Sequence, residues 1–191
     1  DEGIFLFNAD RAADIMRVLA FAEERELSAV IHGGSEAWMV AESLAAANVA
    51  VILNPLKNLP ENFESLGARL DNAAILHKAN VRVIFSSGET HNARKVRQLA
   101  GNAAANGLPH SAALAAISST PAAVFGGEPR SLSQGARADL VIWSGDPLEV
   151  TTQAEHVILS GVPDTMVSRQ TLLRDRYLDE ATDMPRAYTK P

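Results

Sequence analysis

Five histidines and no cysteine limit the chemistry open to this chain. Disulfides, thiolate metal sites and a cysteine nucleophile are all excluded. His32 closes the apolar run Val30-Ile31-His32 and precedes Gly33-Gly34. A ring nitrogen there can meet a metal, or it can take a hydrogen bond at a strand end. One isolated histidine does not build a metal site, so its neighbours decide. Asp10 can bind a hard cation, or it can cap the helix that follows. Asn8 is a poor zinc ligand because its neutral amide is weakly basic. A second polar cluster runs from Ser86 and Ser87 through Gly88 and Glu89 to His91. It has no G-x-S-x-G elbow, so it does not read as an activated serine. Ser87, Glu89 and His91 remain candidates for lining a pocket, with His91 equally placed to begin a helix. His77 falls in a predicted helix, His110 in the first turn of another, and His156 in a later β-segment. Gly33-Gly34 offers free N–H groups to an anion, but a tight strand-to-helix turn explains both glycines.

The elements that must position these residues alternate in type. Apolar runs at Gly3–Phe7, Ser28–His32, Val49–Leu53 and Val81–Phe85 predict four strands covered on both faces. Between and after them, helices are predicted over Asp10–Glu24, from a cap at Ser35 to Ala47, over Leu70–Lys78, and over Asn92–Asn106 ending at Gly107. Further helices open at His110 and at Thr120-Pro121. Strand, helix, strand, helix with short links means parallel β/α units with right-handed crossovers. A complete (β/α)₈ barrel needs about 250 residues, so 191 residues hold about half of one. The loop from Asn54 to Asn62 follows the third strand and could shape a pocket.

After Gly126 the texture becomes turn-rich. Ala138–Trp143 reads as a strand, and His156–Leu159 with Thr165–Ser168 as a hairpin around Ser160-Gly161. The expected organisation is residues 1–126 as β/α units, 127–170 as strands of a small β-domain, and 171–191 as a charged tail suited to solvent or a subunit contact. Net charge is −6 with a pI near 5.3, so no basic footprint argues for nucleic acid or an anionic membrane. No apolar run approaches the ~18–20 residues of a membrane helix, and the absence of cysteine suits cytoplasm and periplasm alike. The chain opens on Asp1 rather than Met, which predicts a processed or truncated piece of a longer parent.

Two stretches resemble a known family. Gln134-Gly135-Ala136-Arg137-Ala138-Asp139-Leu140-Val141-Ile142-Trp143, then Gly145-Asp146-Pro147-Leu148, is similar to the "G-x-x-A-D-L-V-x-W … D-P-L" segment of the amidohydrolase superfamily. Upstream, Asn106-Gly107-Leu108, Ala112-Ala113-Leu114, Ser119-Thr120-Pro121-Ala122 and Phe125-Gly126 resemble its "G-L … A-L … T-x-x-P-A … G" stretch, in order and at the right distance. Together they resemble the imidazolonepropionase-like branch. The resemblance implies that the four strands are barrel strands five to eight, followed by strands of a composite β-domain.

It also implies metal-dependent hydrolysis of amide or cyclic-amide C–N bonds in a complete parent, with zinc or another divalent metal and a small-molecule substrate. In such a parent the metal sits at the C-terminal mouth of the barrel, held by histidines on strands five and six and an aspartate on strand eight. Here Asn8 and Asp10 stand at the strand-five positions, His32 at the strand-six position, and Ser87 or Gly88 where the aspartate belongs, with Glu89 just beyond. The expectation is therefore a chain missing several ligands. It would hold no metal and be inactive alone, or act as a non-catalytic binding or assembly module. It would pair with itself or with a missing N-terminal half.

Overall fold

The computed structural model describes residues 3–57, 59–60, 62–128 and 131–179. Residues 58 and 61 of the Asn54–Asn62 loop, and the expected tail beyond 179, lie outside them. The chain divides into two compact units. The first runs to Ala136 and also includes Gly145–Gln153; the second takes Arg137–Ser144 and the chain from Ala154.

Four parallel strands form the first unit's sheet, in the order β1 (Ile4–Ala9), β2 (Ser28–Gly33), β3 (Ala50–Leu53), β4 (Val83–Phe85). Spatial order equals chain order, each strand pairing in parallel with the next. The connecting helices are α1 (Ala12–Glu24), α2 (Ala41–Ala46, after a 3₁₀ turn at Ala37–Val40) and α3 (Asn72–Lys78). After β4 come a 3₁₀ stretch at Thr90–Lys95 and helices α4 (Val96–Ala105), α5 (His110–Ala116) and α6 (Ser119–Val124). Among the described residues no helix is long and apolar enough to cross a membrane.

The sheet's two faces are unequal. Side chains alternate along a strand, so Ile31, Val51, Leu53, Val83 and Phe85 share one face. They form a single large core with Ile15, Leu19, Leu44, Leu76, Leu99 and Ala113 of the helices. On the other face Val30, Ala50, Ile52 and Ile84 form a smaller cluster with Val124 of α6. Ile4 and Leu6 of the edge strand β1 remain 41% and 52% exposed.

The Asp146-Pro147-Leu148 motif is part of this first unit. Leu148 is buried in the large core, and its N–H donates to Asp146 Oδ1 at 2.8 Å. Asp146 also meets His110 Nε2 at 2.8 Å. The Leu148 N–H, and then His110, hold its carboxyl below the usual carboxylate range. Arg97 of α4 donates to the Pro147 carbonyl at 2.8 Å and to Thr152 Oγ1 at 3.3 Å. The segment lies so close to α4 that a Cβ on Gly101 would stand 2.6 Å from the Leu148 carbonyl oxygen.

The second unit contains the antiparallel sheet β5 (Leu140–Trp143), β6 (Ala154–Leu159), β7 (Val162–Pro163), then α7 (Arg169–Asp179). The hairpin turns at Ser160 and Gly161, both at positive φ (52° and 81°), as a two-residue turn between twisted strands requires. Asp139 Oδ1 accepts from the Ser160 N–H at 2.7 Å, and the Ala138 carbonyl accepts from the Gly161 N–H at 2.9 Å. The return strand is therefore Val162–Pro163, not the expected Thr165–Ser168. The tight turn brings β7 back at once, and its register pairs Leu159 with Val162 and Ile158 with Pro163. Residues 171–179 of the expected charged tail are helical from Arg169 onward, with Ser168 Oγ accepting the Thr171 N–H at 3.1 Å near the helix start.

The close approach at Gly101 sets a test. Gly101→Ala places a methyl against a backbone carbonyl that has no rotamer to escape by. Loss of about 1–3 kcal/mol is expected, read as a lower urea midpoint at unchanged m-value.

Candidate functional site

The sequence candidates gather where parallel strands end. Asn8 and His32 are register partners on β1 and β2, and His32 is opposite Ile52 on β3, which is opposite Ile84 on β4. The row therefore lies on the face of the sheet that clusters with Val124 of α6. The Asn8 amide oxygen stands 2.7 Å from His32 Nδ1. A carboxamide oxygen can only accept, so Nδ1 carries a proton and donates it.

Asp10 is not the helix cap. The N-cap position of α1 is Arg11, with no side-chain cap. The Asp10 carboxylate instead accepts from the Ser35 hydroxyl at 2.7 Å and the Ser35 N–H at 3.1 Å. Its carbonyl accepts the Glu36 N–H at 2.8 Å. Ser35 correspondingly is not the expected cap: the next helical segment starts at Ala37, and its cap residue is Glu36 without a side-chain bond. A hydroxyl facing a carboxylate gains more than one facing a neutral amide. Glu36 in turn reaches back, its Oε2 accepting the Ala12 N–H of α1 at 2.9 Å. The two loops thus serve one another across 24–25 residues of chain. Sequence reasoning missed Glu36 because nothing local marks a cap supplied from another element.

Backbone geometry follows. Gly33 and Gly34 take φ of 106° and 67°, and a Cβ on Gly34 would sit 2.9 Å from Val51 Cγ1. Both glycines are explained by this turn. The buried Asn72 of α3 donates to the Gly34 carbonyl at 2.8 Å. Trp38 donates to the Gly67 carbonyl at 2.9 Å, and the Arg69 guanidinium lies 4.6 Å above its ring. Arg69 pairs with Asp71, which lowers the Asp71 pKa and raises that of Arg69.

The second cluster is held by its own turn. Ser87 Oγ donates to the Glu89 carbonyl at 2.9 Å and accepts the Glu89 N–H at 3.3 Å. Ser86 Oγ accepts the Gly88 N–H at 3.1 Å. The Glu89 carboxylate binds Asn92 and lies 3.4 Å from His91 Nε2, all on an exposed surface. His110 lies on Asp146, His77 belongs to α3 and His156 to β6. Among the described residues, no three of His, Asp or Glu converge on a point that could hold a metal ion. One imidazole, one neutral amide and a carboxylate already bonded to Ser35 do not make a divalent-metal donor set.

Comparison with known proteins points to a family. An amidohydrolase family model matches residues 83–172. A curated relative, the amidohydrolase tasK of Hapsidospora irregularis, is 40% identical over 84 residues. The amidohydrolase structure from Thermotoga maritima MSB8 superposes with a TM-score of 0.76 at 28% identity over 83% of this chain. The family model, the curated relative and the Thermotoga structure all support the amidohydrolase superfamily. A prolidase crystallised with N-methylphosphonate-L-proline shares the fold, with a TM-score of 0.59 at 19% identity over 83% of this chain and 44% of its own. This chain spans 42% of the Thermotoga chain's length and 9% of the curated relative's, with 40% of this chain aligned to the latter. This similarity supports a hydrolase-like function and suggests a metal in a complete enzyme.

The Asp10–Ser35 tie can be measured directly. Asp10→Ala is expected to cost about 1.5–3 kcal/mol, the range for hydrogen bonds to a charged group. In a double-mutant cycle with Ser35→Ala the two should couple by at least about 0.5 kcal/mol. A helix cap at Asp10 would give no coupling to Ser35.

Proposed function

We propose that this chain is the strand-five-to-eight half of an amidohydrolase-type (β/α)₈ barrel, and that alone it does not hydrolyse substrate. The placing is supported by four parallel strands with their helices on one face and by the superposition on the Thermotoga amidohydrolase. A complete parent of this design would act on C–N bonds of linear or cyclic amides, with further metal ligands coming from outside this chain. The observation that carries the reading is the Asp10 carboxylate bonded to Ser35. Among the described residues of the strand-end row, His32 is then the one imidazole.

The measurement is elemental analysis of the purified chain after dialysis, with hydrolysis assays on N-acyl amino acids and cyclic amides. Metal far below one equivalent, unchanged in His32→Ala, and no turnover above the uncatalysed rate are expected. Stoichiometric zinc that disappears in His32→Ala would overturn the proposal.

A second reading, a binding or assembly module, is favoured by the exposed Ile4 and Leu6 on the edge strand. Such a module pairs with a second copy or with an N-terminal half, and its net charge of −6 gives it no electrostatic attraction to nucleic acid or anionic membrane. Size-exclusion chromatography with light scattering is expected to give a dimer or larger species for the isolated chain. A well-behaved monomer counts against self-pairing.

A further inference from the structure

Helix α1 ends in carboxylates that its own fold disfavours. Glu23 and Glu24 close the helix, Glu26 follows it, and its last turn holds no basic residue. Negative charge at that end opposes the helix dipole. Glu26 also takes a left-handed φ of 52°. The turns after α2, α3 and α4 have the same shape but use Asn48, Asn80 and Gly107, at φ of 54°, 64° and 98°. In each of the four turns the next residue donates its N–H to the carbonyl five residues back, as Leu27 does to Ala22 at 2.9 Å. Asparagine and glycine tolerate this backbone better than glutamate does. Arg25 is engaged elsewhere, 3.5 Å from Glu24 and 5.6 Å above the Phe21 ring. Among the described residues, Glu23 and Glu26 have no ion-pair partner.

Both carboxylates line a groove of about 570 Å³ between α1 and α2. Its floor is apolar, with Leu19 and Val49 buried, and Met16 stands 42% exposed at one end. Ala20 on α1 and Ala46 on α2 are small and exposed, so the floor can be reached from outside. Among the described residues no basic side chain lines the groove. From Met16 to Glu26 it follows α1 for about 15 Å. A second copy of this chain fits poorly. It carries a net charge of −6, and a symmetric contact would set these carboxylates against their own images.

We propose that the α1–α2 groove docks an amphipathic helix of another protein, with leucine- or methionine-sized side chains on one face and lysine or arginine beside them. The apolar row enters the groove at helical spacing, and the flexible Met16 adapts to it. The flanking cations pair with Glu23 and Glu26, supplying the counter-charge that the end of α1 lacks. The two helices pack on the opposite face of the sheet from the Asn8–His32 row. The docking surface is therefore independent of whether the strand ends hold a metal.

The probe is a fluorescent helical peptide of leucine and lysine, its leucines on one face, titrated into the full chain. A leucine–glutamate peptide of the same pattern is the control. Saturable binding of the lysine peptide alone is expected. Glu23→Gln combined with Glu26→Asn should weaken it about 5–10-fold while the Tm stays the same or rises. Ala20→Trp, which fills the groove from an exposed position, should abolish binding without loss of helix content. No binding, equal binding of both peptides, unchanged affinity in either variant, or a lower Tm in the carboxylate variant would each overturn the proposal. A dimer of the free chain that Ala20→Trp dissociates would overturn it too, by giving the groove to a second copy.

Discussion

The strand-end geometry depends on a reciprocal exchange between Asp10 and Glu36. Parallel strands share no hairpin, so their C-terminal ends are tied only by what their loops can reach. Asp10, ending β1, satisfies the turn after β2 through the Ser35 N–H and hydroxyl. Glu36, in that turn, satisfies the first N–H of α1, one of the donors every helix start leaves open. A carboxylate there also lies at the positive end of the helix dipole. The turn is then fixed closely enough for Gly34 to approach Val51 and for its carbonyl to receive Asn72. Two acidic side chains that might have faced a ligand are thereby committed to holding strands and helix together.

The same logic separates the family signature from the chemistry. Asp139 of the A-D-L-V run holds the Ser160-Gly161 turn. Asp146 of the D-P-L run caps its own loop and meets His110, while Leu148 fills a core position beside Gly101. Gly107 adopts a left-handed φ of 98° at the end of α4, and Leu108 is 3% exposed. Each motif residue has a structural task. A match carried by such residues argues strongly for the fold and says little about catalysis, which is decided by the strand-end side chains.

What sequence could reveal divides along the range of the interactions. The four strands were legible because they are short apolar runs between turn residues, and their ends shifted by at most two residues. The caps at Asp10 and Ser35 were misread because both residues have the right chemistry for a local bond and found a stronger partner some 25 residues away. The hairpin's turn at Ser160-Gly161 was legible from its residue types, but the return strand was not. Val162–Pro163 is too short to show alternation. The helix at Arg169–Asp179 escaped notice because its leucines and tyrosine are largely exposed, so they leave no one-sided apolar stripe. At the site, Asn8 and His32 were each visible as candidates. Only the β1–β2 register makes them a pair.

That pair shows how a strand-end histidine is oriented by its neighbour. A histidine that binds metal through Nε2 normally donates Nδ1–H to an oxygen, which fixes its tautomer and ring orientation. His32 has this arrangement, with the Asn8 amide as the oxygen. Asn8 thus occupies a strand-end position suited to a ligand yet acts as an orienting acceptor. The bond gives a polar partner to both groups at the sheet's end. Because the same hydrogen bond engages Nδ1, the occupancy of Nε2, rather than the ring's geometry, separates a partial enzyme from a module that only binds.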